Sequence, residues 1–360
     1  MLTSARSWRG SSVSFVHIAR GVAAAGGHAQ MLASARDVVV RAAGEGVPVT
    51  ELPVAHTSLR APGLLRQALR QHGIDVLLVD KRRDLVHGAL AVRGTGIGLA
   101  IRFNFPRWEA PQDPLARLAY RRVDVTIFLT QSAVQFAESH VSYMLRPRHV
   151  VIPEGVDVRR FRRDTEAGAR FRQRVGIVDG PLILGLAALE PEKRFHVLID
   201  AVGGLHEPRP PVVLVGTGSE REALTKRAHA LRVDLRLCDY LTPEDLPGAY
   251  SAATIFVHPS TMETFGLSVA EAMAAGCPVV VASAGSLPEV VGDAGVVVPS
   301  DDPGAFTVTL ARLLGSDVER YALAQRATAR VAERFSLEQM QRAHVEALGS
   351  ARASRLTRTP

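Results

Sequence analysis

Apolar positions along this chain fall into short dense runs separated by stretches with helical spacing. Residues 75–79, 98–102, 125–129, 182–186, 212–215, 279–281 and 296–298 are runs of apolar, mostly β-branched residues with no polar face. Such runs predict strands buried on both sides. Residues 47–52 and 235–240 continue the series. Between them, 38–44, 63–72, 84–93, 115–121, 195–202 and 220–231 carry apolar residues every three or four positions, the mark of a helix with one buried face. Thr130-Gln131-Ser132 opens a further helix, Pro243 to Leu246 leads into one ending at Ala252, and Asp302-Pro303 starts another. Helices are also expected over 318–334 and from Leu337 to Gly349. Strands alternating with helices predict parallel, doubly wound sheets that bind ligands at the carboxyl ends of their strands. The amino end is weakly marked. Only Met1-Leu2-Thr3 precedes a polar stretch and a helix over 13–26, and the next strand, near 28–32, is faint. A shortened gene model and a genuine loss of half a strand both fit that pattern.

The chain has 360 residues, enough for two domains, and the alternation restarts after a Pro153-Glu154-Gly155 turn and an arginine-rich stretch ending near Arg174. The expected division is an amino-terminal domain over 1–155, a second over 156–336, a helix over 337–349 and a disordered basic tail over 350–360. The net charge of +7 is uneven: residues 1–176 hold 26 Lys and Arg against 14 Asp and Glu, while the remainder is net acidic. A basic first half suits an anionic membrane surface or a phosphorylated acceptor. Nucleic acid is not expected, because no basic stripe is interleaved with aromatics and no helix-turn-helix pattern occurs. The two cysteines, Cys238 and Cys277, form no CxxC pair, which excludes a disulfide scaffold. No apolar run reaches 18 residues and no signal-like segment opens the chain. A cytoplasmic location, peripheral to the inner face of the membrane, is the expectation.

The chemistry concentrates between Val257 and Pro299. A strand breaks at Pro259, a loop runs from Ser260 to Glu263, and an Ala-rich helix is predicted over 264–275, stopped by Gly276 and Pro278. The amides of Thr264, Phe265, Gly266 and Leu267 would then lack helical partners and form an anion site, with Gly266 admitting close approach. Glu263 and Glu271, eight residues apart, would flank it. On a helix that spacing rises about 12 Å, the reach from a sugar across a diphosphate to a ribose. Two hydroxyl-accepting carboxylates with amides between them suit a nucleotide sugar.

The string H-P-S-x-x-E-x-F-G-L-x-x-x-E-A-M-A-x-G-x-P-V-V, followed by G-x-x-P-E-V-V, closely resembles the donor-binding segment of glycosyltransferase family 4. That resemblance covers most of the chain and is densest from Leu182 to Pro299. It implies a GT-B fold: two Rossmann-like domains with parallel sheets facing a cleft, and a last helix crossing back to the amino-terminal domain. It implies a retaining glycosyltransferase that moves a sugar from a nucleoside diphosphate to an acceptor hydroxyl on a lipid-linked, lipopolysaccharide-type or small-molecule glycoconjugate. Glu263 would hold the transferred sugar and Glu271 the ribose. Lys193 matches the lysine of the family's G-R-L-x-x-x-K loop and with the helix amides would stabilise the leaving diphosphate; the resemblance makes Lys193 and Glu263 the catalytic candidates. Arg194 and Gly10, in the first turn, are further donor-binding candidates. No metal site and no cofactor are expected, since no acidic cluster stands at a strand end and Asp301-Asp302 opens a helix.

Some positions depart from the family pattern. Ala188 stands where the arginine of G-R-L is found, and Phe103-Asn104 where many members carry a histidine. Asn104, Arg82, Arg83 and His87 are the acceptor-side candidates, with Arg102 beside them in a basic strand end. Gly216-Thr217-Gly218 lacks the third glycine of a dinucleotide fingerprint, because Arg221 occupies that place. The departures keep two alternatives open: a non-catalytic nucleotide-sugar-binding scaffold and, further off, a GT-B sugar epimerase.

Overall fold

The computed structural model describes residues 1–5, 8, 10–52, 60–103 and 114–356. They divide into two units: Met1–Gly155 with Leu337–Pro360, and Val156–Ser336. In the first unit the apolar runs form seven strands: β1 Leu2–Thr3, β2 Met31–Ala33, β3 Val49–Glu51, β4 Val76–Val79, β5 Gly98–Phe103, β6 Val125–Phe128 and β7 Arg148–Val151. They pair in the order β3-β2-β1-β4-β5-β6-β7, every pairing parallel. The second unit has six: β8 Ile183–Leu186, β9 Val212–Val215, β10 Leu235–Cys238, β11 Ile255–His258, β12 Val279–Ala282 and β13 Val296–Val298. Their order is β10-β9-β8-β11-β12-β13, again all parallel. Burial explains the pattern. Strands covered by helices on both faces need apolar residues at every position, and β4, β5, β6, β9, β11 and β12 are almost wholly buried.

β1 is short, as its sequence indicates. Leu2 pairs with Leu32 on one side and with Val79 on the other, leaving most of β4 without a β1 partner. A cavity of about 300 Å³, lined by Met1, Ala29, Ile74, Val76, Val345 and Leu348 among others, lies at that end of the sheet.

The last helix departs from expectation. It runs Leu337–Leu356, past Gly349 and through most of the segment expected as a disordered tail. The reason is packing: Met340, Ala347 and Ala351 are buried in the first unit's core beside Phe15, Ile18 and Ile127. The helix lies against helix Gly10–Ala24 so closely that a β-carbon on Gly21 would stand 2.6 Å from Gln341 Cβ. The Gln341 amide also donates to the His17 carbonyl at 2.9 Å. Buried apolar contact here outweighs a polar, basic composition.

A second departure concerns Arg102. In sequence it belongs to a basic, ligand-facing strand end, but its side chain is 0 % exposed in β5. Its guanidinium pairs with Glu154 at 2.6 Å, and the Ser14 hydroxyl sits 2.8 and 2.9 Å from the two Glu154 oxygens. Glu154 is the residue standing in the interdomain turn of the sequence, and its acid is what lets an arginine enter a buried strand. His344, from the last helix, is buried near the same charge. Burial first, and then the Arg102 guanidinium, push its pKa down to about 3, so it is neutral.

Removing one partner strands the other charge in the core. Glu154→Leu is expected to lower the first unit's stability by about 3–5 kcal/mol in a denaturant titration. The double variant Arg102→Met/Glu154→Leu should recover most of that loss, and a double variant as unstable as the single would refute the pairing.

Candidate functional site

In the second unit β8 lies beside β11 in the sheet, while the chain leaves β8 towards β9 on the other side. Such a reversal opens a crevice at the carboxyl ends of the two strands, where the loops after them part. The loop after β8 carries a short 3-10 turn, Pro191–Lys193, and the loop after β11 carries Ser260 to Gly266. The two loops are laced together. Thr261 N–H and the Ser260 hydroxyl both donate to the Glu192 carbonyl at 3.2 Å.

Glu263 sits where they meet. Its Oε1 accepts from Lys193 Nζ at 2.5 Å and from His258 Nε2 at 2.7 Å. Its carbonyl accepts from the Ser286 N–H and hydroxyl, on the loop after β12, at 3.2 and 3.1 Å. Gly285, at φ +55°, is required there, because a β-carbon would lie 2.6 Å from that same carbonyl. Burial alone raises a carboxyl's pKa. Here the His258 hydrogen bond and the Lys193 ammonium outweigh burial and hold Glu263 down at about 2. The acid is therefore an anion at any ordinary pH.

Glu271 is tied differently. The Tyr250 hydroxyl donates to its Oε2 at 2.7 Å, and Tyr250 is fully buried on helix Leu246–Ala252. Burial, and then the Glu271 charge, raise that phenol far above its usual range, so it stays a donor. The ring meets Phe256 edge-on, and Phe256 stacks on His258. The partners of the two acids are thus neighbours in one aromatic column.

The helix between the acids starts later than the sequence indicates. It spans Leu267–Ala274, so Thr264, Phe265 and Gly266 precede it, and Glu271 is one turn inside. Gly266 adopts φ +90°, which breaks the helical phase and places it as the cap. The Glu263-to-Glu271 spacing is therefore half loop and half helix. The amide expectation changes accordingly: Val269 and Ala270 N–H both return to the Gly266 carbonyl, at 2.9 and 3.2 Å. Among the described residues no hydrogen bond uses the N–H of Thr264, Phe265, Gly266, Leu267 or Ser268. Phe265 itself is buried edge-on against Phe335.

Arg194 follows Lys193 directly, at φ +53°, and its guanidinium forms an ion pair with Asp301. Ala188 is exposed. Gly216 and Gly218 are explained by packing: β-carbons there would lie 2.0 Å from the Ala187 carbonyl and 2.3 Å from the Leu189 carbonyl. The turn serves the β8 loop and is no dinucleotide cradle.

The acceptor-side candidates lie in the first unit, at its own reversal, where β1 adjoins β4. Arg82 and Arg83 open helix Arg82–Ala91, and Arg83 donates to the Ser4 carbonyl at 3.2 Å. Asp84 accepts from the Ser4 N–H at 2.9 Å. His87 follows one turn on, its pKa lowered by burial. Asp80, 1 % exposed at the end of β4, is pushed up to about 6, mainly by burial. Gly10 is the first residue of helix Gly10–Ala24, with open space where a β-carbon would be. Asn104 lies outside the described residues.

Sequence reasoning missed His258, Tyr250, Asp80 and the helix Leu287–Val291. His258 stands in the H-P-S string, yet nothing local says which way its ring points. The five-residue helix had a signal in Pro288 near its start and Gly292 at its end.

The sequence model of the family described as "Glycosyl transferases group 1" matches residues 169–330. A D-inositol 3-phosphate glycosyltransferase of Corynebacterium urealyticum is 34% identical over 341 residues, covering 84% of this chain and 77% of that protein. A GDP-mannose-dependent alpha-(1-6)-phosphatidylinositol monomannoside mannosyltransferase of Mycolicibacterium smegmatis is 33% identical over 220 residues, and the match covers 56% of each, about half the length of that relative. Among solved structures, Anabaena HepE in complex with UDP superposes with a TM-score of 0.86 at 20% identity, covering 97% of this chain and 98% of that one. WaaG, a glycosyltransferase involved in lipopolysaccharide biosynthesis, gives 0.72 at 17%, covering 97% and 99%. These likenesses identify two Rossmann-like units of the GT-B fold, and the extent of the match to the Corynebacterium protein shows that the chain belongs to the group 1 glycosyl transferases.

Proposed function

We propose that this protein is a retaining glycosyltransferase of family 4 that moves a sugar from a nucleoside diphosphate to an acceptor hydroxyl. The observation that carries the proposal is the cluster at the β8–β11 reversal. An anionic Glu263 and the Lys193 ammonium meet beside backbone N–H groups that no described residue uses. A carboxylate suits the sugar's hydroxyls, and an ammonium with amides suits the charge that develops on the departing diphosphate. Glu271, oriented by Tyr250, takes the ribose. The leaving phosphate oxygen itself accepts the acceptor's proton, so the chemistry needs no histidine at Phe103-Asn104. Charge neutralisation falls to Lys193 and the amides, with no metal or cofactor.

Lys193 carries this load without the arginine that Ala188 replaces. Two cations near a diphosphate each contribute about 4 kcal/mol of attraction at intermediate dielectric before desolvation. With Arg194 engaged by Asp301, the exposed Ala188 favours, as a second reading, a relative that binds nucleotide sugars without turnover. For the acceptor we propose a phosphorylated or lipid-linked hydroxyl compound met at an anionic membrane by the basic first unit, from the cytoplasmic side. Leu115 and Leu118 are 63 % and 58 % exposed on helix Pro114–Tyr120, beside Arg117 and Arg121. No helix among the described residues is long and apolar enough to cross a membrane.

Incubation with UDP-glucose, GDP-mannose and other nucleotide sugars tests the assignment. Release of free nucleoside diphosphate, undiminished by EDTA, is the expected result. Binding without release would favour the scaffold, and an isomeric nucleotide sugar the epimerase. Glu271→Ala should weaken nucleotide binding at least severalfold by calorimetry, and unchanged affinity would remove Glu271 from the site. Vesicles containing anionic phospholipid should retain the protein, and Leu115→Glu/Leu118→Glu should release it. Equal retention of the variant would clear that helix of a membrane role.

A further inference from the structure

Both protein donors to the Glu263 carboxylate converge on a single oxygen. Lys193 and His258 reach Oε1, while Oε2 has no hydrogen-bond partner among the described residues and is not among the sealed polar atoms. A carboxylate has about four acceptor positions, so loading one oxygen from the protein side leaves the other for a ligand. Lys193 has a competing duty towards a diphosphate. An ammonium that turns to phosphate would leave a part-buried carboxylate uncompensated, and such a group protonates or swings away.

His258 removes that difficulty. It ends β11, is 1 % exposed, and its ring lies at 9° to that of Phe256 with centroids 6.2 Å apart. Nε2 faces Glu263, and among the described residues Nδ1 has no hydrogen-bond partner. Donation to a carboxylate requires a proton on Nε2, and Glu263 is the one polar group among the described residues that the ring meets. The backbone cannot drift either, since Pro259 follows at once and Ser260 is tied to the Glu192 carbonyl. We propose that His258 is a positioning residue that holds Glu263 charged and aims Oε2 at a hydroxyl of the transferred sugar while Lys193 turns to the diphosphate. The role in donor binding rests on the functional reading above; the grip on Glu263 does not.

The titratable groups that meet the Glu263 carboxyl are Lys193 from the β8 loop and His258 from β11. The β12 loop offers only the uncharged Ser286, and to the carbonyl. A carboxyl held at about 2, against 4.5 ordinarily, stabilises the unit fully above pH 4.5 and loses that contribution as the pH falls towards 2. Without the His258 hydrogen bond the midpoint must rise.

Carbon NMR of protein labelled at glutamate carboxyls, with Glu263 identified by its absence in Glu263→Gln, reads this directly. His258→Leu should raise the Glu263 midpoint by about one pH unit or more, and His258→Gln, whose Nε2 can still donate, by clearly less. Should Leu unfold the unit, His258→Phe keeps the stack on Phe256 without a donor. Titration with UDP-glucose and GDP-mannose should show roughly tenfold weaker binding for the non-donating variant and partial rescue by Gln. A Glu263 midpoint unmoved by Leu or Phe, or moved equally by Gln, overturns the proposal. Wild-type protein that binds neither nucleotide sugar would defeat the donor reading, while the NMR midpoints still decide whether His258 holds Glu263.

Discussion

One part-buried carboxylate that must remain charged constrains the second unit. Glu263 lies in a place that favours the neutral acid, and it is an anion because two donors reach the same oxygen. The turn after β8 and the end of β11 meet at the carboxylate for that, and a third segment, the loop after β12, holds the Glu263 carbonyl. Gly285 exists to let the third approach, Ser260 laces the first to the second, and Gly266 resets the chain direction before the helix begins. Withdrawal of Lys193 and His258 would leave an unpaired charge, which costs several kcal/mol. The loop is thus held by its electrostatics as much as by its packing.

The first unit repeats the topology with the opposite electrostatic outcome. Its reversal, between β1 and β4, also gathers acids at strand ends, but Asp80 and Asp84 have their pKa values raised. Lys81 and Arg102 pull Asp80 down, and burial outweighs them, leaving it at about 6. The difference is one of geometry. Lys193 and His258 touch Glu263 directly, whereas Arg102 is already committed to Glu154. The same sheet architecture therefore presents a carboxylate held down by direct donors in one unit and carboxyls pushed up by burial in the other.

In the string from His258 to Pro299, helix stops, buried β-branched runs and a glycine before a helix are local signals that placed the elements around the two acids, while its resemblance to a known motif carried the glycosyltransferase reading. Errors fell where a distant partner decided the matter. The helix after Glu263 starts at Leu267 because Gly266 takes a left-handed conformation against Leu287, the first residue of another helix. The last helix continues to Leu356 because Ala351 finds a core to enter, though the composition of 350–360 indicates a solvated tail. Arg102 resembled a ligand-binding arginine until Glu154 and Ser14, far away in the chain, enclosed it.

By itself the sequence determined the alternation of strand and helix and the two-part division, which follow from hydrophobic periodicity and backbone preference acting over a few residues. The motif string added the GT-B glycosyltransferase class and singled out Glu263, Glu271 and Lys193 by resemblance. Only the tertiary structure decided which oxygen of Glu263 is occupied, that His258 and Tyr250 hold the two acids, and that Arg102 is a core ion pair. These are matters of direction and burial: His258 and Glu263 stand 5 residues apart, while the other partners, 21 to 140 residues apart, come within hydrogen-bonding distance only in the fold. No local pattern encodes where a buried side chain will point, because the groups that orient it come from elsewhere in the fold.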